Sequence, residues 1–119
     1  MIRILLAEDD TSMREYLQRA LQRVGYDVES VGCGTEAMPL LEAGKYDLLL
    51  TDIVMPEMDG IELAQKASAI DPGIRVMFIT GFAAVALNAD SAAPKHAKVL
   101  SKPVHLRDLV NEVQKLLAA

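Results

Sequence analysis

The sequence predicts an α/β domain with a five-stranded parallel sheet covered by helices on both faces. Three observations predict it. Apolar runs of strand length alternate with stretches of helical period along the chain. The strongest runs, Ile2–Ala7, Asp47–Thr51 and Ile74–Ile79, are almost continuously apolar, as in strands buried on both faces. The 119 residues, of which 51% are hydrophobic, suffice for one core and fit one domain.

Ile2–Ala7 is polar only at Arg3. Asp10 or Thr11 can cap the helix that follows, in which Met13, Leu17, Ala20, Leu21 and Val24 form one stripe and Gly25 ends it. Tyr26–Val31 alternates and reads as a strand near an edge. Thr35 is expected to cap a short helix ending at Gly44, with Pro39 close to its first turn, where proline is tolerated best. Asp47–Thr51 is a strand and Glu57–Gly60 a turn. A helix follows with Ile61, Ala64 and Ala67 inward, broken by Asp71-Pro72-Gly73. Ile74–Ile79 is a strand, and the apolar, Ala-rich Phe82–Leu87 reads as a helix that Pro94 ends. Val99-Leu100 is a short strand, and His105–Leu117 an amphipathic helix with Leu106, Leu109, Val110, Val113 and Leu117 on one face. Right-handed crossovers leave few topologies for five such strands, and the flavodoxin-like order 2-1-3-4-5 fits best.

The net charge of −5 disfavours nucleic acid and anionic lipid as partners. The single cysteine, Cys33, fits a reducing cytoplasm; no apolar run reaches membrane-spanning length, and the N-terminus has no signal-peptide layout. With residues 1–119 used for one domain, no separate effector domain is expected.

Sites in open α/β sheets form outside the carboxyl ends of the strands. Glu8 and Asp9 follow strand 1, Asp52 strand 3, Thr80 strand 4 and Lys102 strand 5. These four strands are neighbours in the expected order, so the side chains can converge. Clustered carboxylates repel unless a hard cation neutralises them, which points to Mg²⁺ held by Glu8, Asp9 and Asp52, with the backbone carbonyl of Val54 as a further ligand. Asp52 is the candidate nucleophile, because a carboxylate can accept a phosphoryl group as a mixed anhydride. Lys102, the Thr80 hydroxyl and the backbone N–H groups of Val54 and Gly81 can neutralise the phosphoryl oxygens. Pro103 stiffens the turn after Lys102, and the bond before it can be cis. Taken singly, each feature has a plainer reading: a capping aspartate, an acidic helix start, a turn, a solvated lysine. Their common position at the strand ends favours the phospho-acceptor site.

The segments Leu5-Leu6-Ala7-Glu8-Asp9-Asp10, Thr51-Asp52-Ile53-Val54-Met55-Pro56-Glu57-Met58-Asp59-Gly60, Ile79-Thr80-Gly81 and Ser101-Lys102-Pro103 resemble those of receiver domains of bacterial two-component response regulators. The resemblance spans essentially the whole chain. It implies Mg²⁺-dependent phosphoryl transfer to Asp52 from a histidine kinase or histidine phosphotransfer protein, and a switch in protein binding. Over Asp47–Ala67, Met77–Ala86 and His105–Val110 the chain also resembles CpdR-type single-domain regulators of alphaproteobacteria, which control substrate delivery to the ClpXP protease. Many receivers carry an aromatic residue three positions before the lysine and Phe after Lys-Pro. Here Val99 and Val104 stand there, which points to signalling through backbone shifts in Gly81–Leu87.

Other readings remain open. A phosphate sink without an output partner is one. An aspartate-nucleophile phosphatase is another, although its pattern needs an acid two residues after the nucleophile, where this chain has Val54. His96 and His105 lack kinase-like surroundings and read as solvated or capping residues. Leu117-Ala118-Ala119 resembles C-terminal tags read by ClpX, but a frayed helix end explains it as well.

Overall fold

The computed structural model describes residues 1–81, 98–102 and 104–118. Five strands form one sheet in the order β2-β1-β3-β4-β5, and each neighbouring pair is parallel. They are β1 (Arg3–Ala7), β2 (Asp27–Val31), β3 (Leu48–Thr51), β4 (Arg75–Thr80) and β5 (Lys98–Ser101). Among the described residues four helices accompany them: α1 (Thr11–Val24), α2 (Gly34–Ala43), α3 (Gly60–Ile70) and α4 (Leu106–Ala118). The expected topology is the one found. The helix expected at Phe82–Leu87, its end at Pro94, and the readings placed on His96, Pro103 and Ala119 lie outside the described residues.

Strand periodicity explains why the central strands read as unbroken apolar runs. Successive side chains point to opposite faces. Leu5, Leu49, Val76 and Phe78 face α2 and α3, where Ala37, Leu41, Leu63, Ala64 and Ala67 meet them. Ile4, Leu6, Leu48, Leu50, Met77 and Ile79 face the other way, onto Leu17 and Leu21 of α1 and Leu109 and Val113 of α4. Both faces are therefore buried, and each enclosed leucine contributes about 1.5–3 kcal/mol. β2 is one of the two edge strands and only Val28 in it is buried, so its sequence alternates.

Most helix ends follow their local chemistry. Asp10 caps α1, its carboxylate accepting from the Met13 N–H at 3.0 Å. Gly25 ends α1 in the left-handed region at φ 107°, where its N–H reaches the carbonyls of Leu21 and Gln22. Asp59 caps α3 through the Glu62 N–H at 2.8 Å. The second helix corrects two expectations. Cys33, not Thr35, occupies the cap position, without a side-chain capping bond, and Pro39 lies deeper inside the helix than the expected place close to its first turn. Thr35 is two residues too late because α2 already begins at Gly34, and its hydroxyl donates instead to Glu57 at 2.7 Å.

Candidate functional site

Parallel strands present all their carboxyl ends along one edge, and there the chain gathers its charged groups. Beyond β1, the Glu8 N–H donates to the Val31 carbonyl at 3.1 Å, while the Glu8 carbonyl accepts from Arg14 Nη1 at 2.8 Å. These bonds turn the Glu8 side chain inward, where it is 1% exposed. Beyond β3, the Asp52 N–H donates to the Ala7 carbonyl at 3.0 Å, and the Asp52 carboxylate accepts from the Ile53 N–H at 2.7 Å. Asp52 is 8% exposed, shielded yet reachable. Beyond β5, the Lys102 N–H donates to the Thr80 carbonyl at 2.9 Å, which aims the side chain across the sheet end. Its ammonium then bridges Asp52 Oδ2 at 2.8 Å and Glu8 Oε1 at 2.9 Å.

One ammonium among three acids leaves a surplus of negative charge. Carboxylate oxygens of Glu8, Asp9 and Asp52 lie within 4.8 Å of one another. Burial, reinforced by the Asp52 charge and against the hydrogen bonds from Lys102 and the Asp10 N–H, pushes the Glu8 carboxyl up to about 7. Burial pulls Lys102 downward, but its bonds to Asp52 and Glu8 outweigh this and raise it above the ordinary lysine value. An all-oxygen donor set with excess negative charge suits a small hard cation, so these residues fit Mg²⁺.

Glu8, Asp9, Asp52 and Lys102 thus come together as their strand positions implied. Thr80 is fully buried at the end of β4, in register with Ser101. Gly81 follows at an exposed bend, and among the described residues nothing lies within 4 Å of where its Cβ would stand. Val54 lies in the loop after Asp52 with its residue 56% exposed. His105 is exposed, and its carbonyl accepts the Leu109 N–H at 3.0 Å at the start of α4.

Sequence reasoning missed the residues that shape this loop. A Cβ at Gly60 would collide with the backbone carbonyl of Asp52, and the Gly60 N–H donates to the Ile53 carbonyl at 2.8 Å. The start of α3 therefore rests directly on the backbone of Asp52. Glu57 has φ 69°, and the Met58 N–H donates across it to the Pro56 carbonyl at 2.8 Å, closing a three-residue γ-turn. Thr51 donates from its buried hydroxyl to the Asp52 carbonyl at 2.8 Å. One signal was available: Asp59 and Glu62 have capping spacing, which places the helix start, and hence Gly60, against the preceding loop.

The family model described as "Response regulator receiver domain" matches residues 4–114. The response regulator receiver protein CpdR of Brucella abortus is 63% identical over 119 residues, covering 100% of this chain and 99% of that protein. The sensor kinase CckA of Brucella abortus is 35% identical over 116 residues, which are 96% of this chain and 12% of that protein. A crystal structure of the response regulator TrrA from Thermotoga maritima, in complex with Mg²⁺-BeF, superposes with a TM-score of 0.86 at 30% identity, covering 98% of this chain and 99% of that one.

Proposed function

Because the chain belongs to the response regulator receiver domain family, the phospho-acceptor modules of two-component signalling, we propose that Asp52 is its phospho-acceptor and that Glu8, Asp9, Asp52 and the Val54 carbonyl hold the required Mg²⁺. The observation that carries this reading is the Lys102 ammonium bridging Asp52 and Glu8 at adjoining strand ends.

In this reading the metal supplies charge neutralisation for the incoming phosphoryl oxygens. The remaining work falls to the chain. The Ile53 N–H and Lys102 fix the orientation of the Asp52 carboxylate, so one oxygen is presented to phosphorus. Phosphoryl transfer forms the Asp52 O–P bond and breaks the P–N bond to a donor histidine of a histidine kinase or histidine phosphotransfer protein. Lys102, the Thr80 hydroxyl and the N–H groups of Val54 and Gly81 then contact the phosphoryl oxygens. Thr80 engagement shifts Gly81 and changes which proteins bind.

The match across 99% of CpdR supports a chain that works as a single receiver domain and acts on a separate protein. The narrower resemblance extends the proposal to control of ClpXP-dependent proteolysis, with the unphosphorylated form as binder. Incubation with acetyl phosphate and Mg²⁺ should add one phosphate by intact mass. Asp52→Asn and chelator should each abolish the addition; undiminished labelling in either case overturns the assignment.

A further inference from the structure

The loop that carries Asp52 and Val54 is held in an unfavourable conformation, and the group that holds it lies on another element. Among the described residues Glu57 is the one non-glycine with positive φ, at 69°. Its carboxylate accepts a 2.7 Å hydrogen bond from the Thr35 hydroxyl at the start of α2. The Cys33 thiol lies 3.1 Å from the same hydroxyl oxygen. With the Thr35 proton committed to Glu57, that oxygen is left to accept from the thiol. Next to this bond, a Cβ on Gly34 would lie only 3.0–3.1 Å from Met58, so the two elements are in close contact. At its other end the loop is fixed where Gly60 abuts Asp52.

We propose that the Thr35–Glu57 hydrogen bond is a clamp that sets the position of the loop after Asp52, making Thr35 and Glu57 positioning residues for the Mg²⁺ and phosphoryl site. The inference rests on the reading of that site as Mg²⁺-dependent. Both side chains are exposed, so the bond does not serve to satisfy a buried group. A glutamate in the left-handed region has an intrinsic preference to leave it, and the turn persists when the surroundings over-determine it. The α2 start supplies that constraint from a residue 22 positions away. Releasing it lets the Val54 carbonyl drift from the carboxylate cluster.

The test measures Mg²⁺ dissociation constants by titration calorimetry, with melting temperature and amide exchange at Met58 on the same samples. Groups that directly support metal ligands typically change affinity by about 10–100-fold, so a clamp one step further out should give roughly 3–10-fold weakening in Thr35→Val and Glu57→Ala. The double variant should be no weaker than either single one. Thr35→Ser and Glu57→Gln keep the bond and should keep the wild-type constant, while Met58 exchange quickens only in the broken pair. Glu57→Gly relieves the backbone but lacks the carboxylate and should remain weak. Wild-type affinity in Thr35→Val and Glu57→Ala, even with lower melting temperatures, would reduce the bond to a structural tie and overturn the clamp. Full affinity in Glu57→Gly would overturn it too, by showing that backbone conformation alone decides. Failure of the wild type to bind Mg²⁺ would instead refute the site reading itself, and the clamp with it.

Discussion

At the scale of single residues, Glu8 holds the most sensitive charge. Its carboxyl is raised from 4.5 to about 7 in the folded chain, so the folded state binds more protons than the unfolded one between these values. The stability Glu8 contributes is complete below 4.5 and is lost as pH rises through about 7. In metal-free buffer with chelator, the melting temperature of the wild type should fall relative to Glu8→Gln from pH 4.5 to 7 and then level; a constant difference would contradict the buried placement. If Asp52 carries the phosphoryl group, Val54 bears on its lifetime. Its exposed, apolar side chain two positions beyond Asp52 cannot orient an attacking water. Val54→Asn should shorten the lifetime of the phospho-form several-fold, less than the roughly 10²–10⁴-fold of a full general base. Intact mass followed over time reads the decay, and an unchanged or longer lifetime would contradict the argument. Asp52, Glu8, Asp9 and Lys102 were legible in the sequence because each follows an apolar run whose end fixes its place. Thr35 was not: its partner Glu57 lies 22 residues away, and capping rules see only local neighbours.

Among the elements, the glycines at the helix ends do different work. Gly25 ends α1 at φ 107° with open space about its Cα, whereas Gly60 starts α3 pressed against the Asp52 carbonyl. Gly25→Ala should cost about 1 kcal/mol through backbone strain and leave phosphorylation intact. Gly60→Ala should cost roughly 1–3 kcal/mol through overpacking and also slow phosphorylation if Asp52 is the acceptor, since the carbonyl it displaces belongs to Asp52. Urea unfolding and labelling rates on the same samples separate the two. Equal labelling rates in both variants would contradict the role given to Gly60. The strands and their order were legible because apolar runs such as Leu48–Leu50 leave no polar face. The interior position of Pro39 was not: nothing local moves the start of α2 ahead of Thr35 to Gly34, which stands close against Met58.

For the molecule as a whole, the carboxyl ends of the strands and the β5–α4 face are separate surfaces. Asp52 lies at the strand ends, while β5 and α4 share a surface groove lined by Lys98, Glu112, Lys115 and Leu116, where Lys98 pairs with Glu112 at 3.3 Å. If this face binds the output partner, an Asp52→Ala chain and the phosphorylated wild type should differ by about 5–150-fold in affinity. Lys98→Glu with Lys115→Glu should abolish the tighter of the two. Equal retention in a pull-down, with or without those charges, would reject both the switch and the face. The bridge from Lys102 to Glu8 carries a further consequence. It joins groups 94 positions apart, and Asp52 is 50 positions from the same lysine. A ribosome releases the chain from its first residue onward, so Asp52 emerges long before the ammonium that orients it. If Asp52 is the acceptor, a nascent or truncated chain that ends before Lys102 carries it without the ammonium bridge that orients it. On the proposed function, Asp52 then gains its oriented geometry only once translation has passed residue 102 and β5 has docked, so efficient labelling should track completed folding as well as signal.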